Sequence, residues 1–118
     1  MLSSILKNLF LVALIDLVYL SFIQKFYANN VSVIQGGKPM QLRLVYAIPV
    51  YFALGYLLTQ AKSWRQAFFL GLATYAVYDF TVLTVFQGYT LPLALVDTLW
   101  GGTLLATAFY VTQKIKFL

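Results

Sequence analysis

Apolar residues in this chain gather in four long runs instead of alternating with polar ones: about Asn8 to Ile23, Leu42 to Gln60, Gln66 to Phe86 and Leu91 to Thr112. A helix rising about 1.5 Å per residue needs about 20 apolar residues to cross the hydrocarbon of a bilayer, and each run comes near that length. In lipid only helices and closed barrels satisfy their own backbone, and runs without alternation exclude the barrel. The pattern predicts an all-α chain, a four-helix transmembrane bundle with short turns and one longer loop between helices 1 and 2, forming a single integral membrane domain over residues 1–118. Lys7 ahead of the first run resembles the start of a secretory leader. Asp16 interrupts that run, however, and no small-x-small cleavage pattern follows, so an uncleaved first helix is expected.

The connecting segments differ in character. "AKSWR", Ala61 to Arg65, is a tight polar turn, and "QGYT", Gln87 to Thr90, is an uncharged one. "QKFYANNVSVIQGGKPMQ", Gln24 to Gln41, is long and holds Gly36, Gly37 and Pro39 among β-branched residues, a composition that admits a short hairpin lying on the membrane. Pro49 within the second run frees a backbone carbonyl and predicts a kink. In this topology Lys7, Lys62, Arg65, Lys114 and Lys116 fall on one side and Lys25, Lys38 and Arg43 on the other, so the positive-inside rule places both termini in the cytoplasm. Tyr27 and Tyr89 on the outer side and Trp64 on the inner side suit interfacial anchors. Asn30-Val31-Ser32 is formally a glycosylation triplet, of a kind that chance often produces.

Composition agrees with a membrane setting: 62% of the residues are hydrophobic and 9% charged, with a mean hydropathy of +0.84, against about 45–50% apolar in a soluble domain. The net charge of +5 comes from basic residues scattered singly near the ends of apolar runs, which forms no stripe for nucleic acid. Without cysteine or histidine the chain lacks disulfides, thiolates, the usual zinc and haem ligands and the easiest general base near neutral pH. No cofactor is expected, and the residues name no metal. The acids change the picture most. All three, Asp16, Asp79 and Asp97, fall inside apolar runs. Facing lipid at a helix centre costs an aspartate about 2.5–3.5 kcal/mol. They should therefore face one another or a wet cavity.

Helical spacing supplies their companions. Asp16 has Ala13 and Tyr19 one turn away, Asp79 has Tyr75 and Ala76, and Asp97 has Trp100 and Gly101 with Leu104 beyond. Each acid thus has an aromatic donor within a turn, and Gly101 and Gly102 allow close helix packing. Tyr46, Pro49, Ala53 and Tyr56 form a comparable stripe on the second helix. Arg43 is the candidate ion-pair partner, placed to reach toward Asp97. Without such a partner, desolvation and mutual repulsion favour a shared proton or a protonated donor, either of which suits a proton, cation or polar-ligand site. The same residues also fit a purely structural role, each interhelical hydrogen bond being worth about 0.6–2 kcal/mol. "LIDLVY", Leu14 to Tyr19, and "LVDTLW", Leu95 to Trp100, share an order of leucine, branched residue, aspartate and, three residues on, an aromatic. On helices running in opposite senses this reads as a remnant of inverted pseudosymmetry.

The motifs "ALIDLVYL" followed by "KFY", "GLATYAVYDFTVLTVFQGYTL" and "LVDTLWGGTLLA" together resemble an uncharacterised predicted membrane protein family, domain of unknown function 2177, across essentially the whole chain. The resemblance implies four membrane helices with Asp16, Asp79, Thr81, Asp97, Trp100 and Gly101 at motif positions, and no assigned reaction. The chain departs from the family pattern at Val82, where an asparagine is usual, at Tyr19 and Tyr89, where tryptophan is usual, and at Gln87, where lysine is common. Two functional classes follow. One is a small transporter-like or ligand- and proton-binding membrane protein, a homo-oligomer, whose polar site draws on Asp16, Asp79, Asp97, Tyr19, Tyr75, Thr81 and Trp100. The other is a structural subunit of a larger membrane complex, or of the membrane beneath a viral capsid, with the acids as internal ties. A lipid-directed enzyme using an aspartate and tyrosine pair is a third and poorer fit, for want of histidine, cysteine and glutamate.

Overall fold

The helix boundaries follow the breakers in the sequence more closely than they follow its polarity. The structure is a computed structural model that describes residues 2–34, 36 and 44–114. It contains α1 (Leu2–Ile34), a 3₁₀ turn (Leu44–Tyr46), α2 (Ala47–Gln60), α3 (Trp64–Val85) and α4 (Leu91–Lys114), with no strand among the described residues. Three segments are long and apolar enough to cross a membrane: Leu2–Ile23 of α1, α3 and α4. The 14 residues of α2 span about 21 Å at 1.5 Å per residue, short of the roughly 30 Å hydrocarbon core.

Two expectations are corrected here. The first helix does not stop at Ile23; Gln24 to Ile34 continue it, so the segment read as a long loop or surface hairpin is largely helical. Those residues contain neither glycine nor proline, and the next described residue after Ile34, Gly36, takes a left-handed φ of 68° as a glycine readily does. Residues 35 and 37–43 lie outside the described residues, and with them Lys38, Pro39 and Arg43, as does Lys116 further on. In the second run Pro49 is the third residue of α2. The first turn of a helix has no carbonyl partner for its N–H groups, so proline is accommodated there and marks the start of the helix instead of a kink. A smaller difference concerns α3, which begins at Trp64 because Ser63 caps it: the Ser63 hydroxyl accepts from Gln66 N at 3.2 Å, while Gln66 Oε1 accepts from Lys62 N at 2.6 Å.

The helices pack in a row, α2 beside α1, α1 beside α4 and α4 beside α3, with α2 touching α3 and α4 least. Bonds between α1 and α4 join Asp16 to Trp100 and Tyr19 to Asp97. Moving forward along one helix moves backward along the other, so the two run antiparallel and the start of α1 shares an end with the close of α4.

Glycine makes the side-by-side contacts close. A Cβ on Gly55 of α2 would sit 2.7 Å from the Ile5 carbonyl of α1, and beside it Asn8 Nδ2 donates to Gly55 O at 3.2 Å. Between α3 and α4, a Cβ on Gly71 would run into the Gly101 carbonyl, one on Gly101 into the Tyr75 ring, and one on Gly102 would lie 2.9 Å from Phe68. The buried core is small, built around Val12, Leu54, Leu58, Ala67, Leu104, Leu105 and Ala108. Large apolar side chains such as Phe10, Phe22 and Val77 are instead outside. That inversion is what lipid as solvent permits: tails solvate apolar side chains, so helices associate through small residues and polar bonds.

Gly71→Val should therefore pry α3 from α4 and destabilise the protein by about 1–3 kcal/mol, as overpacking does. Val77→Ala, on the exposed face of the same helix, should leave the unfolding midpoint in detergent within about 0.5 kcal/mol of the parent.

Candidate functional site

The three aspartates are among the least accessible residues of the protein, Asp79 at 0% exposure, Asp16 at 7% and Asp97 at 8%. Each is satisfied by neutral donors. Asp16 on α1 accepts from the Tyr51 hydroxyl of α2 and, at 2.8 Å, from Trp100 Nε1 of α4. Asp97 on α4 accepts from the Tyr19 hydroxyl of α1 at 3.0 Å. Asp79 on α3 accepts from the Tyr89 hydroxyl at 2.7 Å and the Thr98 hydroxyl of α4 at 3.3 Å.

The donors are exchanged relative to the spacing expectation. Tyr19, one turn from Asp16, serves Asp97, and Trp100, one turn from Asp97, serves Asp16. On a single helix a side chain one turn along from an acid leans the same way as the acid, so its polar tip is better aimed at the neighbouring helix. Where the "LIDLVY" and "LVDTLW" segments meet antiparallel, each aspartate takes the aromatic of the other. The Tyr19 and Trp100 rings stack between the two bonds, with centroids 4.6 Å apart and planes 6° from parallel.

Asp79 completes the arrangement from the far side of α4. Its carboxyl is a near electrostatic neighbour of that of Asp97. A carboxylate has only acceptor atoms, so two carboxyls bond to each other only when one carries a proton. Asp16 stands apart, joined to the pair through the stacked rings, and among the described residues no three acids converge on a point where a metal ion would sit.

Other expected residues fall around this network. Tyr75 is half-buried with its ring against Gly101, and Gly102 rests on Phe68. Thr81 is exposed on α3 and reaches none of the carboxyls. Arg43 lies outside the described residues. Sequence reasoning missed Tyr51, Thr98 and Tyr89 as donors. Tyr89 was expected at the membrane interface, yet it is 5% exposed and folded in from the α3–α4 turn. That turn is held by Asn30, whose Nδ2 donates to Gly88 O at 2.6 Å. A signal was available for Thr98, next to Asp97 and on a buried face. None existed for Tyr51, whose partner is 35 residues away.

A helical protein with three apolar, span-length segments and buried acids tied by neutral donors is a membrane protein of the polytopic kind. The chain belongs to the family described as "Predicted membrane protein (DUF2177)", whose model matches residues 1–113. No curated protein and no solved structure matches it.

Removing a donor leaves a buried acceptor unserved, so Tyr51→Phe and Tyr89→Phe should each destabilise the folded protein by about 1–3 kcal/mol, read as a lowered unfolding midpoint in detergent. Tyr110→Phe, with its ring exposed, is the matched control and should shift nothing. A double-mutant cycle on Tyr19→Leu and Trp100→Leu should return a coupling of about 0.5–1.5 kcal/mol or more from the stacked rings.

Proposed function

We propose that this is a small transporter-like membrane protein whose working element is a proton shared between Asp79 and Asp97, with Asp16 as a structural tie. The observation that carries the reading is an asymmetry. Around the antiparallel contact of α1 and α4 the two aspartates are treated alike, each accepting from the aromatic of the opposite helix. The outer helices then differ: α2 offers Asp16 a tyrosine hydroxyl, and α3 offers Asp97 a second carboxyl. A hydroxyl would have served as well for binding helices together. A second acid does something a hydroxyl does not, because it makes the site hold a proton whose removal leaves two adjacent negative charges.

In this reading all four α-helices cross the membrane and the acids lie within it. Antiparallel α1 and α4 and the short α2–α3 and α3–α4 turns support an up-down-up-down path, with α2 extended by the Leu44–Tyr46 turn as the shortest crossing. Lys7, Lys62, Arg65 and Lys114 then share one end, the cytoplasmic one by the positive-inside rule. Four helices leave little room for a private aqueous path, so the working unit is a homo-oligomer. A second reading, a structural subunit of a membrane assembly, draws on Asp16, both of whose oxygens are served by fixed donors.

The test uses an apolar carbodiimide, which adds to a protonated carboxyl in a water-poor setting. Mass spectrometry should place the adduct on Asp79 or Asp97 and not on Asp16, and either Asp79→Asn or Asp97→Asn should abolish it. In proteoliposomes with an internal pH dye, the same two variants should lose proton flux while Asp16→Asn keeps it at reduced stability. Flux unchanged by Asp79→Asn and Asp97→Asn would sink the transport reading. Recovery of the native protein only in complex with unrelated subunits would favour the structural one.

A further inference from the structure

We infer that a cavity of about 400 Å³ between the end of α1 and the start of α4 binds an uncharged, hydroxyl-headed amphiphile, its chain against Ile23, Leu93 and Val96 and its head among Asn29, Asn30 and Thr90. The volume lies in the range of small-molecule sites, which are mostly apolar with a few polar groups that fix orientation. Here the polar and apolar residues are segregated along the helices. On α1, Ile23 comes before Asn29 and Asn30, and on antiparallel α4, Thr90 comes before Leu93 and Val96. The polar set therefore occupies one end of the cavity and the apolar set the other, a division that matches a molecule with a head and a tail.

The chemistry of the head follows from what lines that end. No charged side chain among the described residues lines the cavity, so neither an anion nor a cation finds its counter-charge there. Asn30 has one amide group committed, Nδ2 to Gly88 O, while its Oδ1 is buried with no donor. An amide turns easily about its terminal torsion, and a modest turn would offer that oxygen to a ligand O–H. The Thr90 hydroxyl and the Asn29 amide complete a set that both accepts and donates.

Position links the cavity to the carboxyl pair. Val96 adjoins Asp97, Leu93 is one turn before it, and Ile23 is one turn beyond Tyr19, the donor to Asp97. The apolar end thus lies within one helical turn of Tyr19 on α1 and of Asp97 on α4. As a substrate class for proton-coupled movement, the amphiphile rests on the reading given under Proposed function; as an occupant of the cavity it does not.

Photolabelling of the full chain in nanodiscs tests the site, using three diazirine probes with the label in the chain: a long-chain alcohol, a diacylglycerol and a fatty acid. Adducts should concentrate on Ile23, Leu93 and Val96 with the alcohol, the diacylglycerol or both, which separates a free alcohol from a membrane lipid as the source. Val96→Trp, a change at a half-exposed position, should fill the cavity and abolish those adducts. Asn30→Ala should weaken labelling about fivefold, the worth of one hydrogen bond. Adducts spread evenly over exposed residues such as Phe10, Phe22 and Val77, or labelling by the fatty acid as strong as by the alcohol, would overturn the proposal. Carbodiimide modification of Asp79 or Asp97 is read on the same samples. If it persists while the photolabel spreads evenly, the cavity assignment alone has failed; if it is absent while the photolabel stays concentrated, the proton pair alone has failed.

Discussion

The bonds exchanged between α1 and α4 are the constraint on which the remaining structure depends. Each helix contributes one acceptor and one donor, three residues apart, and the antiparallel contact satisfies both at once. Apolar packing between helices gains little where the surrounding tails are equally apolar, so direction and register must come from such polar pairs. A shift of α4 along α1 by one residue would turn both acids away from their donors. The glycines then allow the outer helices to approach this central pair, Gly55 bringing α2 against α1 and Gly71 bringing α3 against Gly101 of α4.

With that frame in place, the differing fates of the three acids become a matter of neighbours. Asp16 is enclosed by a tyrosine and a tryptophan, groups that donate and stay neutral. Asp79 and Asp97 are neighbours, with Tyr19, Tyr89 and Thr98 supplying their hydrogen bonds. Identical side chains in similar burial thus have different neighbours on the outer helices, a hydroxyl for Asp16 and a second carboxyl for Asp97.

Much of this was legible in the chain. Long apolar runs marked α3 and α4 to within about two residues of their ends, because in lipid a helix is the only way for such a run to satisfy its backbone. The acids, Tyr19 and Trp100 stood out because polar groups in apolar runs are costly enough to need a reason. The exchange of donors was not legible, since spacing along one helix says which residues share a face but not which neighbour that face meets. Tyr89 misled for a related reason: a tyrosine in a turn between two apolar helices has the same sequence setting whether it points to headgroups or folds back onto a carboxyl. The end of α1 was misjudged by weighing polarity over breakers, although Gly36 was the first residue able to end the helix easily. The start of α3 was available in the serine and glutamine spacing of Ser63 and Gln66.

The length of α1 carries a mechanical consequence. Its 33 residues reach about 50 Å at 1.5 Å per residue, well beyond the hydrocarbon core. The portion past Ile23 is continuous helix with the segment that bears Asp16 and Tyr19. Near its tip, Asn30 grips the backbone of Gly88, and the next residue is Tyr89, whose hydroxyl rests on Asp79. The one helix thus reaches both acids, Asp97 directly through Tyr19 and Asp79 through the turn that carries Tyr89. Any displacement of that helical extension would therefore bear on both carboxyls.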